Sequence, residues 1–134
     1  MQKKISYVIA VLSIVLGLFF IYKGLNKHFL SPCKVYDATS TIPLAYQQVI
    51  TGMCQSGMLK VVGFFQTLSG VLLIIPRTRL FGAITLLPII FNIFCLHLFL
   101  DNRPEELVET GIPLAMNLAI LDLLYPKWKV LFQK

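Results

Sequence analysis

The sequence predicts an all-α fold: a membrane four-helix bundle with a short amphipathic helix in its first outer loop. Three observations predict it. The chain has 134 residues, of which 57% are hydrophobic and 13% charged, whereas soluble domains carry about 25% charged residues. One domain of this size has too little interior to hide so many large apolar side chains from water, and lipid receives them directly. Four segments approach the roughly 20 apolar residues that a helix needs to cross a bilayer. The charges are sorted between the ends of those segments, which a water-soluble core gives no reason to do.

The first span covers residues 5–25 and begins "ISYVIAVLSIVLGLFFIY". Ser6, Ala10, Ser13, Gly17 and Gly24 fall along one stripe. It reads as a packing face, because small residues let helices approach where lipid supplies no hydrophobic drive. Lys3 and Lys4 precede the run, and no small-x-small cleavage site follows it, so it reads as an anchor that stays.

Residues 26–57 form the outer loop. "KGLNKHF" continues the first helix to the surface, and "SPCKVYDATSTIP" is irregular, broken by Pro32, Asp37, Ser40, Thr41 and Pro43. Leu44, Ala45, Val49, Ile50 and Met53 then recur at helical spacing opposite Gln47, Gln48 and Thr51. That pattern is a short amphipathic helix, lying in the interface or capping the bundle. Gly52 and Gly57 let the chain turn into the next span. Cys33 and Cys54 both lie in this loop and can pair if that side is oxidising.

The second and third spans, residues 58–75 and 80–100, are joined by Pro76-Arg77-Thr78-Arg79. So short a turn makes them antiparallel neighbours. The fourth, residues 107–125, is less apolar. Pro104 suits a first helical position, and Glu105 and Glu106 suit the positive end of the helix dipole. This helix is expected to start in the interface and bend near Pro113. With four crossings, Lys3, Lys4, Arg77, Arg79, Lys127, Lys129 and Lys134 share one side. Asp37, Asp101, Glu105, Glu106 and Glu109 share the other. By the positive-inside rule both termini are cytoplasmic.

Net charge is +6, but the basic residues punctuate the ends of apolar runs and form no stripe with interleaved aromatics. Nucleic acid is therefore not an expected partner. Two distant histidines cannot hold zinc or haem alone, so no metal is expected. No Cys-x-x-Cys pair, phosphate loop or nucleophile–base arrangement occurs.

Gln66, Asn92 and Asn117 lie at similar depth on three helices. An amide facing lipid would cost several kcal/mol, so the three are expected to meet inside the bundle. They serve there either as interhelical hydrogen bonds or as the polar end of a small-molecule pocket. Cys95 and His97, two apart, point to nearly opposite sides of a helix, and Cys95 reads as a packing residue. His97 and Asp101, four apart, share a face, which makes His97 the best candidate for proton handling. Lys60, Asp101 and Glu109, with Glu105 and Glu106 nearby, are expected to form an outer-edge ion network. Asp122 is expected to be an anchor neutralised by Arg77, Arg79 or Lys127.

Several stretches resemble a known family. "LGLFFIYKGLNKHF" is similar to the start of DoxX-type membrane proteins, whose first helix ends in Gly-x-x-Lys, matched by Gly24 and Lys27. "FFQTLSGVLLIIPRTRLFGA" resembles that family's second helix, arginine turn and third-helix start, and "FNIFCLHLF" its histidine-bearing third helix, with His97 in place. The chain departs from the pattern at Gln66, where family members usually carry glutamate, and in lacking a terminal Ser-Leu-Asp. The resemblance implies a bacterial inner-membrane protein. It also implies a subunit or accessory of a membrane redox system linked to quinone or thiol chemistry. A small apolar ligand, quinone as its implied cofactor, would then sit among Gln66, Asn92, His97 and Asn117. The alternative is a non-enzymatic interaction or assembly protein. Its partners would be membrane lipid and either another membrane protein or a second copy.

Overall fold

A computed structural model describes residues 2–29, with backbone alone at 27–29, and residues 32–133. The described residues hold helices and no strand. In chain order the helices are α1 (Gln2–Tyr22), α2 (Leu44–Gln55), α3 (Met58–Ile74), α4 (Arg79–Leu96), α5 (Pro104–Leu123) and α6 (Tyr125–Trp128). Two π-helical segments extend them: Lys23–Phe29 continues α1 and His97–Asp101 continues α4. Lys27 and Lys134, named in the sequence reading, lie outside the described side chains.

Two helical stretches, Gln2–Asn26 and Arg79–Asp101, are each long and apolar enough to cross a membrane. Two more pass only as bent pairs: α2 with α3, bent by 82°, and α5 with the chain to Phe132, bent by 63°. That makes two to four candidate spans. The bend between α2 and α3 falls where the sequence places it. Gly57 adopts φ +83°, a left-handed conformation costly to residues with a Cβ.

The long helices close into a ring. α1 packs most extensively on α3, α3 on α4, α4 on α5, and α5 more lightly back on α1. Glycines set the tightest seam. A Cβ on Gly17 would stand 2.6 Å from the Gly70 carbonyl oxygen, and one on Gly70 would stand 2.6 Å from that of Gly17. The small-residue stripe of α1 therefore packs as expected from Ser13 onward, whereas Ser6 is exposed. The apolar centre combines Leu16 and Phe20 of α1 with Leu73, Ala83, Leu86, Ile90 and Ile120. Val, Leu, Phe and Ile side chains stand exposed along the same helices, as suits a bundle with an apolar solvent.

The turn between α3 and α4 ends the first helix with side chains of the second. Thr78 Oγ1 donates to the Leu72 carbonyl at 3.0 Å and Arg79 Nε to that of Leu73 at 3.1 Å. These are carbonyls left free at a helix end. At the same end of the ring, Trp128 Nε1 donates to the Leu121 carbonyl at 2.7 Å and its ring meets Tyr125 and Phe132 edge-on. Asp122 is exposed and makes no ion pair among the described residues. No ion pair joins it to Arg77, Arg79 or Lys127 among the described residues, and the Arg79 Nε is committed to the helix end.

At the opposite end, α2 lies across the ring against α3 and the π-segment of α4. Cys33 and Cys54 are joined by a disulfide, Cα to Cα 5.7 Å. The extended residues before α2 are thereby tied to that helix. Within that stretch Asp37 Oδ1 accepts the Thr39 hydroxyl at 2.5 Å and its backbone N–H at 2.8 Å. Both bonds hold the Asp37 carboxyl below the usual range, the hydroxyl contributing most.

Candidate functional site: an apolar chamber beneath α2

Inside the ring, under α2, is a chamber of about 380 Å³. Its walls are apolar: Phe19 and Phe20 of α1, Leu59 and Val62 of α3, Ile89, Ile90, Ile93 and Leu96 of α4, and Pro113 of α5. Tyr46, Ile50 and Met53 of α2 form its ceiling. A few polar groups reach it: Lys23, Gln66, Asn92, His97, Glu106, Glu109 and Thr110. Apolar walls with few polar groups are what small-molecule sites look like.

Gln66 is the most buried of these. It is 2% exposed, and its Oε1 has no hydrogen-bond partner. Its neighbours explain why. Gly63 and Gly70 share its face and carry no polar side chain, and Thr67 donates to its own helix at the Gly63 carbonyl, 2.8 Å. A buried acceptor left unpaired costs about 1–3 kcal/mol, so Gln66 Oε1 is disposed to accept from a donor in the chamber.

The ceiling end carries the charge. His97 Nδ1 lies 3.1 Å from Asp101 Oδ2, the i,i+4 pair expected from the sequence. Asp101 is in turn held by Arg103, whose Nε donates to Oδ1 at 2.6 Å and whose Nη2 donates to Oδ2 at 2.8 Å. The Asp101 side chain is fully buried, and its hydrogen bonds push the Arg103 pKa upward. With Nδ1 engaged, the Nε2 edge of His97 faces Glu106 Oε2 at 3.8 Å, and the ring lies 5.2 Å from that of Tyr46. A second pair, Lys23 with Glu109, joins α1's π-segment to α5. The Lys23 ammonium also lies 5.6 Å from the centre of the Phe19 ring, within cation–π range. Both π-helical segments thus carry a polar residue of the chamber, Lys23 in one and His97 in the other, and such segments are frequent at functional sites.

Of the expected ligand residues, Gln66, Asn92 and His97 reach the chamber and Asn117 does not. Asn117 is fully buried and donates across to the Ala83 carbonyl at 3.1 Å, so it fastens α5 to α4. Asn92 is exposed at the chamber edge and donates to the Pro88 carbonyl of its own helix at 2.8 Å. The three amides therefore do not converge. Each has a different neighbourhood, and a bond within its own helix keeps Asn92 from seeking the others.

The outer-edge network also divides. Asp101 belongs to the His97–Arg103–Glu106 cluster and Glu109 to the Lys23 pair, while Lys60 is exposed without an ion pair among the described residues. Lys23 and Tyr46 were missing from the expected site, and Glu106 was expected only beside the outer-edge network. Tyr46, Ile50 and Met53 are spaced by four and three, so the amphipathic pattern of α2 already held the signal for the ceiling. Cys95 lines no part of the chamber, and the described residues hold no cluster able to bind a metal.

Fold and site together define a helical protein with candidate membrane spans and an apolar chamber with ionic groups at one end. No family model matches the chain, and no curated protein or solved structure matches it either.

Proposed function

We propose that the chain is an integral membrane protein crossing a bacterial inner membrane four times, with both termini cytoplasmic. In this reading it is a DoxX-like subunit or accessory of a membrane redox system, and its chamber holds a quinone-class molecule. The observation that carries the reading is the unpaired Oε1 of buried Gln66 in an apolar chamber whose other end presents His97. A quinone has a carbonyl acceptor at each end of an apolar ring, and its reduced form carries hydroxyl donors there. The unpaired Gln66 Oε1 can accept from such a hydroxyl and the Gln66 Nε2 can donate to the carbonyl, with His97 or Tyr46 at the ceiling to meet the other end.

Four crossings follow from treating the bent pairs as spans. α3 has 17 residues, about 25 Å of helix, and a bilayer absorbs the few ångströms missing from about 30 Å by local thinning. α2 then lies in the outer interface, and the Tyr125–Trp128–Phe132 cluster sits at the inner one, where aromatic rings concentrate. An open chamber favours ligand binding over a purely interactive role, for which a solid interior would serve.

The test is extraction in mild detergent and mass spectrometry of the small molecules that travel with the protein. A polar-headed isoprenoid at near-equimolar amount is expected. If nothing exceeds the background of an unrelated membrane protein of similar size, and added quinone changes neither melting temperature nor intrinsic fluorescence, the reading is wrong.

A further inference from the structure

The chamber, at about 380 Å³, is near the small end of the roughly 300–1,000 Å³ typical of ligand pockets. It has room for a ring and the first carbons of a tail, so the rest of a long tail must leave the bundle. A second cavity shows where. Val15 and Leu16 of α1 face Val108, Ile112 and Met116 of α5 across a groove whose accessible surface is apolar. Phe19, Glu109 and Pro113 line both this groove and the chamber, so the two are adjoining compartments. The boundary between them is a side-chain boundary, with the Phe19 ring beneath the Lys23 ammonium and Lys23 held by Glu109. α1 meets α5 more lightly than it meets α3.

We propose that the ligand is a long-tailed membrane amphiphile that reaches the chamber sideways between α1 and α5, its head beneath α2 and its tail in the α1–α5 groove. This rests on the chamber being a ligand site. The groove gives the tail a path and little affinity, because a tail leaving lipid for an apolar groove gains no hydrophobic energy. Phe19 is the threshold, and the Lys23–Glu109 pair latches it.

The test uses the full chain in lipid nanodiscs and two probes with the same benzoquinone head, one with a single isoprene unit and one with eight, at equal mole fraction in the lipid. Binding is read from quenching of intrinsic fluorescence. The wild type is expected to bind both alike. Ile112→Trp and, separately, Val15→Trp fill the groove and are expected to weaken the long-tailed probe about tenfold, the scale of an overpacked contact. Binding of the short-tailed probe should stay within about twofold, which also reports that each variant is folded. Ile84→Trp, on the exposed flank of α4, should change neither. If both probes bind and neither groove variant separates them, the lateral path is overturned and the chamber stands. If neither probe binds the wild type, chamber and path fall together.

Discussion

Gln66 and Asp101 are both buried polar residues in an apolar bundle, and they call for opposite outcomes on substitution. Gln66 Oε1 is buried and unpaired, so replacing the residue with leucine removes a cost. Gln66→Leu is expected to leave the melting temperature unchanged or higher while lowering quinone affinity, measured on the same sample by thermal unfolding and fluorescence titration. Asp101 is paired with His97 and Arg103. Asp101→Asn leaves both partners short of a carboxylate and is expected to cost about 2 kcal/mol, a figure tempered by the exposure of Arg103. Equilibrium unfolding in detergent checks it. The spacing of His97 and Asp101 made their contact legible in sequence, because four residues of helix bring two side chains together. The separate fates of Asn92 and Asn117 were not legible. An apolar setting says that an amide needs a partner, and only rotation about the helix axis says whether that partner is Pro88 of its own helix or Ala83 of another.

Glycine spacing on α1 and α3 decides how closely those helices meet. Gly70→Val is expected to force the pair apart and to destabilise the bundle by about 1–3 kcal/mol, the range for overpacking, read from thermal unfolding. The ceiling helix α2 is held differently: it has no fully buried residue and depends on its disulfide to the preceding stretch. The double substitution Cys33→Ser and Cys54→Ser opens a link of sequence separation 21, with an upper expectation of about 3 kcal/mol from chain entropy. Hydrogen exchange should rise across residues 44–55 and remain low in α3. The amphipathic period of α2 and the glycine at its end fixed its existence and its turn downward. Which residues it would hang over the chamber followed only from the angle at which it crosses the ring.

Across the whole molecule, the sorting of charge predicts sides. In a Cys95→Ser background, single cysteines replacing Lys3 or Lys129 are expected to resist a membrane-impermeant maleimide in intact cells, while one replacing Asp37 is labelled. Labelling of Lys3→Cys with protection of Asp37→Cys would invert the proposed topology. The all-α class and the order of the helices were readable because apolar length and basic turns act one segment at a time. The chamber was not, since it exists only where four helices and a ceiling leave space between them. One consequence of the Gly17–Gly70 seam reaches past packing. Backbones in such close registry have no loose side chains between them to rearrange, so α1 and α3 behave as the jamb of a doorway, and any breathing of the ring is thrown onto the lighter edge where α1 meets α5.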